Sequence, residues 1–179
     1  MVRLFVALDL PADIRERLAR MCAGVPGARW LPADNLHLTL RFIGEVDQGV
    51  ADDLDAALGQ ISVSPFEIAL DGVGTFGKGR KARALWVGLE ACPPLARLQA
   101  KVEAAVNAAG IPVEERKFTP HITLARLKAP PKGKLNAFVM DNDAFRAGPI
   151  PADRFQLYSS FLSASGAIHT VEASYPLKG

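Results

Sequence analysis

His37-Leu38-Thr39-Leu40 and His121-Ile122-Thr123-Leu124 are the two stretches on which the reading of this chain turns. Each is His-x-Thr followed by an aliphatic residue. Together they use two of the only three histidines in 179 residues. In a β-strand, residues i and i+2 leave on the same face. Each stretch therefore predicts a strand with an imidazole and a hydroxyl on one face and two aliphatic side chains on the other. Threonine is scarce here, so its repeated place at i+2 from a histidine is a pattern rather than a coincidence. Two such strands would supply two acid–base groups and two hydroxyl donors, a set that suits a phosphate ester without a metal.

Working outward, residues 2–9 read as a buried strand. Pro11 opens a helix with Ile14, Leu18 and Met21 at helical spacing, and Gly24 ends it. Trp30-Leu31-Pro32 leads into the first motif strand, 36–43. A helix is expected over 48–60 and a strand over 65–73. Gly72, Gly74, Gly77 and Gly79 then read as a long, mobile turn. A strand over 83–90 precedes a helix that starts at Pro93-Pro94, carries Leu95, Leu98, Val102 and Val106, and stops at Gly110. The second motif strand is 120–127. A short helix is expected near 134–140, and two last strands, 153–162 and 167–175, form a hairpin through Ser163-Ala164-Ser165-Gly166.

The two histidines are 84 positions apart. The same shift brings the helix at Pro11 near the helix at Leu95, and strand 65–73 onto strand 150–158. This predicts a duplicated β-α-β-α-β plan, with equivalent strands facing each other across a groove.

Composition bounds the classes. About half of the residues are hydrophobic and 22% are charged, as in an ordinary globular domain. No apolar run reaches the length of a membrane span, and the first residues alternate like a strand rather than a signal peptide. Cys22 and Cys92 are far apart and outside any metal motif, which predicts free thiols in a cytoplasmic protein. The net charge of +2 says little. The clusters Lys78, Arg80, Lys81, Arg83 and Arg116, Lys117, Arg126, Lys128, Lys132, Lys134 say more, since they would form a phosphate-attracting rim if they border a cleft. His169 lacks a threonine at i+2 and reads as an incidental surface or packing residue. No His-x-His, Cys-x-x-Cys or His-Glu-x-x-His supports a metal site, and no cofactor motif is present. Phe42 and Phe76 are candidates to stack a base. Arg126 is a candidate cation for the phosphate, yet strict alternation gives it the parity of Leu124 and turns it away unless a bulge intervenes.

These motifs resemble the two-histidine (2H) phosphoesterase superfamily. Arg3-Leu4-Phe5-Val6-Ala7-Leu8, Asn35-Leu36-His37-Leu38-Thr39-Leu40-Arg41-Phe42, Leu85-Trp86-Val87-Gly88-Leu89 and Phe118-Thr119-Pro120-His121-Ile122-Thr123-Leu124-Ala125-Arg126 narrow the resemblance to the RNA 2′,3′-cyclic phosphodiesterases, also called 2′-5′ RNA ligases. The resemblance implies an α+β fold, residues 1–179 forming one bilobed unit. Two pseudo-symmetric lobes would each have an antiparallel-rich sheet with helices on the outer face and the active cleft between them. It implies His37 as proton donor, His121 as proton acceptor, Thr39 and Thr123 as phosphate ligands, and no cofactor. The substrate would be RNA ending in a 2′,3′-cyclic phosphate, tRNA fragments among the candidates, opened to a 2′-phosphate with reversible 2′-5′ joining as a second outcome. Symmetry alone does not assign which histidine is acid and which is base. A monomer is expected, because the paired lobes bury each other. Another cyclic phosphate, a 2′-5′ oligonucleotide, or simple binding of an RNA end stand as alternatives.

Overall fold

The computed structural model describes residues 1–179. The two motif strands fall in different sheets. One sheet has the order β3-β1-β8-β9, from β1 (Val2–Leu8), β3 (Leu38–Val46), β8 (Arg154–Ser163) and β9 (Gly166–Pro176). The other has the order β2-β6-β5-β4-β7, from β2 (Arg29–Trp30), β4 (Phe66–Phe76), β5 (Ala84–Leu89), β6 (His121–Arg126) and β7 (Arg146–Ala152). All pairings are antiparallel.

The duplication is visible in this order. β3, β1, β8 and β9 correspond in turn to β6, β5, β4 and β7. The helices correspond as well: α1 (Ala12–Met21) to α3 (Pro93–Ala108), and α2 (Gln48–Leu58) to α4 (Lys132–Asn142). The halves exchange strands, however. β4, from the first half, completes the sheet of β5 and β6, while β8, from the second half, completes the sheet of β1 and β3. One core follows from the exchange. A single cluster of 37 buried residues joins the aliphatic faces of both sheets to the apolar stripes of the helices, with Val6, Leu38, Leu70, Val87, Leu124 and Phe155 among its members. Burying such faces is the main favourable term for a chain of this size. No helix is long and apolar enough to cross a membrane.

The helices begin where the sequence places them, α2 being capped by the Asp47 carboxylate, which accepts from the Val50 N–H at 2.9 Å. Three local expectations are corrected. The glycine-rich stretch is not a long turn. β4 runs on through Gly74 to Phe76, and the reversal is confined to a short segment closed by the Arg83 N–H on the Phe76 carbonyl. Gly77 turns it at φ +84°, where a Cβ would fall 2.5 Å from the Lys81 carbonyl. The second correction is β7, a separate strand ahead of the final hairpin. The third is β2, whose two residues add an edge to β6.

Candidate active site

Both motif strands carry a bulge at the same place. In β3, Val6 pairs with Arg41 and Ala7 with Thr39, so Leu40 is the extra residue. In β6, Leu85 pairs with Ala125 and Trp86 with Thr123, so Leu124 is extra. A bulge shifts the alternation by one. Leu40 and Arg41 are therefore both buried on the core side, as are Leu124 and Ala125. Beyond the bulge, Phe42 returns to the face of Thr39, and Arg126 to the face of Thr123. Arg126 thus shares the site face after all. The signal was in the sequence: Leu124-Ala125 are two successive apolar residues that strict alternation cannot bury together.

β3 and β6 approach each other between the sheets, each contributing one wall of the candidate cleft. On the first wall, His37 is buried at 8% exposure. Its ring lies 4.7 Å from Tyr158 and 5.9 Å from Phe5, and these two aromatics stack on each other at 5.0 Å. On the second wall, His121 is half-buried, with its ring 4.7 Å from Phe76 edge-on and 6.3 Å from Trp86. Each histidine thus stands beside an aromatic pair that limits its rotamers. The Trp86 indole lies across Gly74. A Cβ there would come within 2.4 Å of its ring, so only glycine leaves the floor flat. The indole Nε1 is buried without a partner. Thr39 and Thr123 are half-buried on these faces.

The electrostatics separate the two histidines. The Nδ1 of His121 donates to the Thr119 carbonyl at 2.6 Å. That bond leaves Nε2 of the neutral ring as the acceptor, the state a general base requires. Burial pushes His37 down to about 4, reinforced by the neighbouring His169 and opposed by Asp9 and by the Asn35 carbonyl. A phosphate anion in the cleft would act in the opposite sense and favour the imidazolium.

His169, expected as an incidental surface or packing residue, packs beside the first motif. It pairs with Ser160 across the hairpin and is half-buried. Its ring is 5.4 Å from His37 and 4.8 Å from Phe5, and its Nδ1 is buried without a partner. Burial lowers its pKa. The candidate stacking residues both reach the site faces. Phe42 is 62% exposed beside Phe5, and Phe76 packs on His121. Arg41, one residue from Phe42, faces the other way. It donates to Glu103 at 2.6 Å and to the Pro112 carbonyl, and so ties β3 to α3. Nowhere do three or more His, Cys, Asp or Glu side chains gather as a metal site would require.

The chain matches the family model described as LigT-like phosphoesterase twice, over residues 8–86 and 87–169. It is 31% identical over 176 residues to the RNA 2′,3′-cyclic phosphodiesterase of Thermotoga maritima, covering 95% of this chain and 92% of that protein. The Escherichia coli protein of the same name is 37% identical over 128 residues, 69% of this chain and 71% of that one. Among solved structures, a phosphoesterase superposes with a TM-score of 0.82 at 29% identity, over 99% of both chains. E. coli LigT complexed with 3′-AMP gives 0.80 at 29% identity, again over 99% of both.

Proposed function

This chain belongs to the LigT-like phosphoesterase family, whose model its two halves match in turn, and from that premise we propose that it hydrolyses 2′,3′-cyclic phosphates at RNA ends to 2′-phosphates. The observation that supports the reading is the pair of bulged His-x-Thr strands, one in each sheet, that approach each other. Relatives named RNA 2′,3′-cyclic phosphodiesterase support the substrate class.

In this reading the cyclic phosphate sits between Thr39 and Thr123, whose hydroxyls donate to its non-bridging oxygens as charge develops. His121, with Nδ1 held by Thr119, takes a proton from water at Nε2. The water oxygen attacks phosphorus, the P–O3′ bond breaks, and His37 hands its proton to the departing O3′. Ring strain and positioning supply much of the drive. His37 must be charged to serve as the acid. Burial works against that, and a bound phosphodiester's negative charge works for it. Substrate binding and arming of the acid are then one event. Arg126, on the Thr123 face, adds positive charge beside the phosphate. Phe42 offers a face for the terminal base. Cys22 and Cys92 are free thiols, in keeping with a cytoplasmic setting.

The test is to incubate the purified protein with a short RNA ending in 2′,3′-cyclic phosphate, in excess chelator, and to locate the phosphate in the product. A 2′-phosphate, lost in both His37→Ala and His121→Ala, is the expected outcome. A bound but unchanged RNA would mean an end-binding module, and a loss restored by added metal would mean a different mechanism.

A further inference from the structure

The two histidines differ in how they can recover a proton. His121 is half-buried and can exchange with solvent. His37 is 8% exposed, yet as the acid it gives a proton to O3′ in every turnover. That proton has to be replaced through the groups packed around the ring, and few of them can carry one. From the end of β1, the Asp9 carboxylate is occupied by the Leu10 N–H at 2.9 Å and by Arg15, from α1, at 3.2 Å. An arginine keeps its proton. From β8, the Tyr158 hydroxyl donates to Gln156 Oε1 at 2.6 Å, and burial pushes it up to about 12. The Asn35 carbonyl only accepts, and it holds one of the two ring nitrogens. The remaining neighbour is His169, from β9.

The His169 ring is 5.4 Å from that of His37, and its Nδ1 is buried without a partner. At that separation a proton passes between two imidazoles through one water or after a small turn of a ring. His169 is half-buried on the edge strand of its sheet, between the exposed Ile168 and Thr170. Its ring packs inward on Phe5 and His37, while the strand that carries it borders solvent. The second wall has no such residue. β9 runs beside β8 from Arg154 to Ser163, whereas β7 pairs with β4 only from Phe66 to Asp71 and stops short of Gly74 and Phe76. A fourth strand reaches the histidine on one wall only, the wall whose histidine is buried.

Resting on the reading above, in which His37 is the acid, we propose that His169 relays a proton from solvent to His37 once in each turnover. His169 touches no substrate in this scheme. It acts through His37, as the residue that positions the next proton. The exchange balances. His37 leaves the reaction neutral, the His169 imidazolium passes it a proton, and a buffer acid or hydronium ion restores the imidazolium. His121, which gained the proton of the attacking water, returns it to solvent. Imidazole suits a relay because it gains and loses protons near neutral pH. Burial holds His169 below the ordinary imidazole value, so it releases a proton more readily than a free ring does. The charge of a bound phosphodiester draws that proton on to His37.

The test is steady-state hydrolysis of an RNA ending in 2′,3′-cyclic phosphate by the full chain. Substrate is saturating, the pH mildly alkaline, the ionic strength fixed, and buffer concentration is the variable. The wild-type kcat should not depend on buffer. In His169→Gln, kcat in dilute buffer should fall on the order of tenfold, less than the roughly 10²–10⁴-fold effect of the acid itself, with KM unchanged. Added imidazole should restore it and then saturate, because a small acid takes over the delivery. His169→Asn, with a shorter amide, should behave alike. A neighbour that acts only by repulsion gives the opposite sign. Without its charge His37 holds a proton more readily, and kcat would rise or stay the same. That result would overturn the relay, and so would a loss that imidazole does not restore, which is what a packing residue gives. A wild type that opens no cyclic phosphate would overturn the function itself, and the relay with it.

Discussion

The His37 wall and the His121 wall are built on one plan with the parts rearranged. Opposite each threonine and two residues along the inner strand, the first wall has Ala7 and Phe5, while the second has Trp86 and Ala84. The third strand adds Gln156 and Tyr158 on one side, Gly74 and Phe76 on the other. The large inner aromatic has moved by two ladder positions, and the small residue has taken the place it left. The ring that touches each histidine stays at 4.7 Å in both. What the duplication keeps is the support of an imidazole. What it changes is the rim: Phe42 against Arg126, and a buried His37 with His169 beside it against a half-buried His121 held by Thr119. In the proposed mechanism, two copies of one strand thus serve as an acid with an apolar approach and a base with a cationic approach.

The sharpest way to break that comparison is to remove each histidine in turn. His37→Ala and His121→Ala should each lower the turnover of a cyclic-phosphate RNA by about 10²–10⁴-fold, the scale of a single acid–base group. The double variant should lose less than the product of the two, because the pair acts as a unit. Single-turnover rates check both. Near wild-type rates in one single variant would mean that only one wall does chemistry.

The rims should separate by salt. Phe42→Ala should raise KM by roughly 10–100-fold, the equivalent of about 1–3 kcal/mol for one stacked base, and leave the salt dependence alone. Arg126→Ala should flatten the plot of log KM against log salt by about one unit of slope, as the loss of one phosphate contact does. A salt effect at Phe42, or none at Arg126, would erase the division between the walls. Smaller still is the effect at the floor. Gly74→Ala forces the Trp86 ring aside and should cost about 1–3 kcal/mol by denaturant unfolding, as overpacking does. If stability is unchanged, the indole is not held where the structure has it.

Much of this arrangement is legible in the sequence, because strand parity is a local rule. Parity alone places His37 with Thr39, His121 with Thr123, and the aliphatics behind them. Helix starts at Pro11 and Pro93 are legible for the same reason, since proline fixes the first turn. The parts that escape depend on which strand lies beside which. The exchange of β4 and β8 between the halves leaves no periodic trace. β2 is too short for any pattern, so nothing in the sequence marks Arg29 as the cross-strand neighbour of Arg126. His169 alternates with Ala167 and Val171 like any hairpin residue. Only the register with Ser160, and β8 lying against β1, bring it to Phe5 and His37. Gly74 reads as a turn because the indole that requires glycine there comes from a different strand.

The least intrusive experiment bears on the electrostatic half of the comparison. In the free protein, NMR titration of the His37 ring should give a midpoint near 4 rather than the ordinary 6.5, because burial disfavours the imidazolium and a charged His169 adds repulsion. His169→Gln removes the repulsion and should move the midpoint up. Inorganic phosphate should move it further, since an anion between the walls favours the charged ring. The same shift sets a sign on stability. The unfolded chain takes up the His37 proton near 6.5 and the folded chain only near 4, so between those values the unfolded state binds more protons. Folding stability contributed by the neutral ring is therefore complete above 6.5 and is lost as pH falls toward 4. A free-protein midpoint at or above 6.5 would remove the need for substrate to arm the acid.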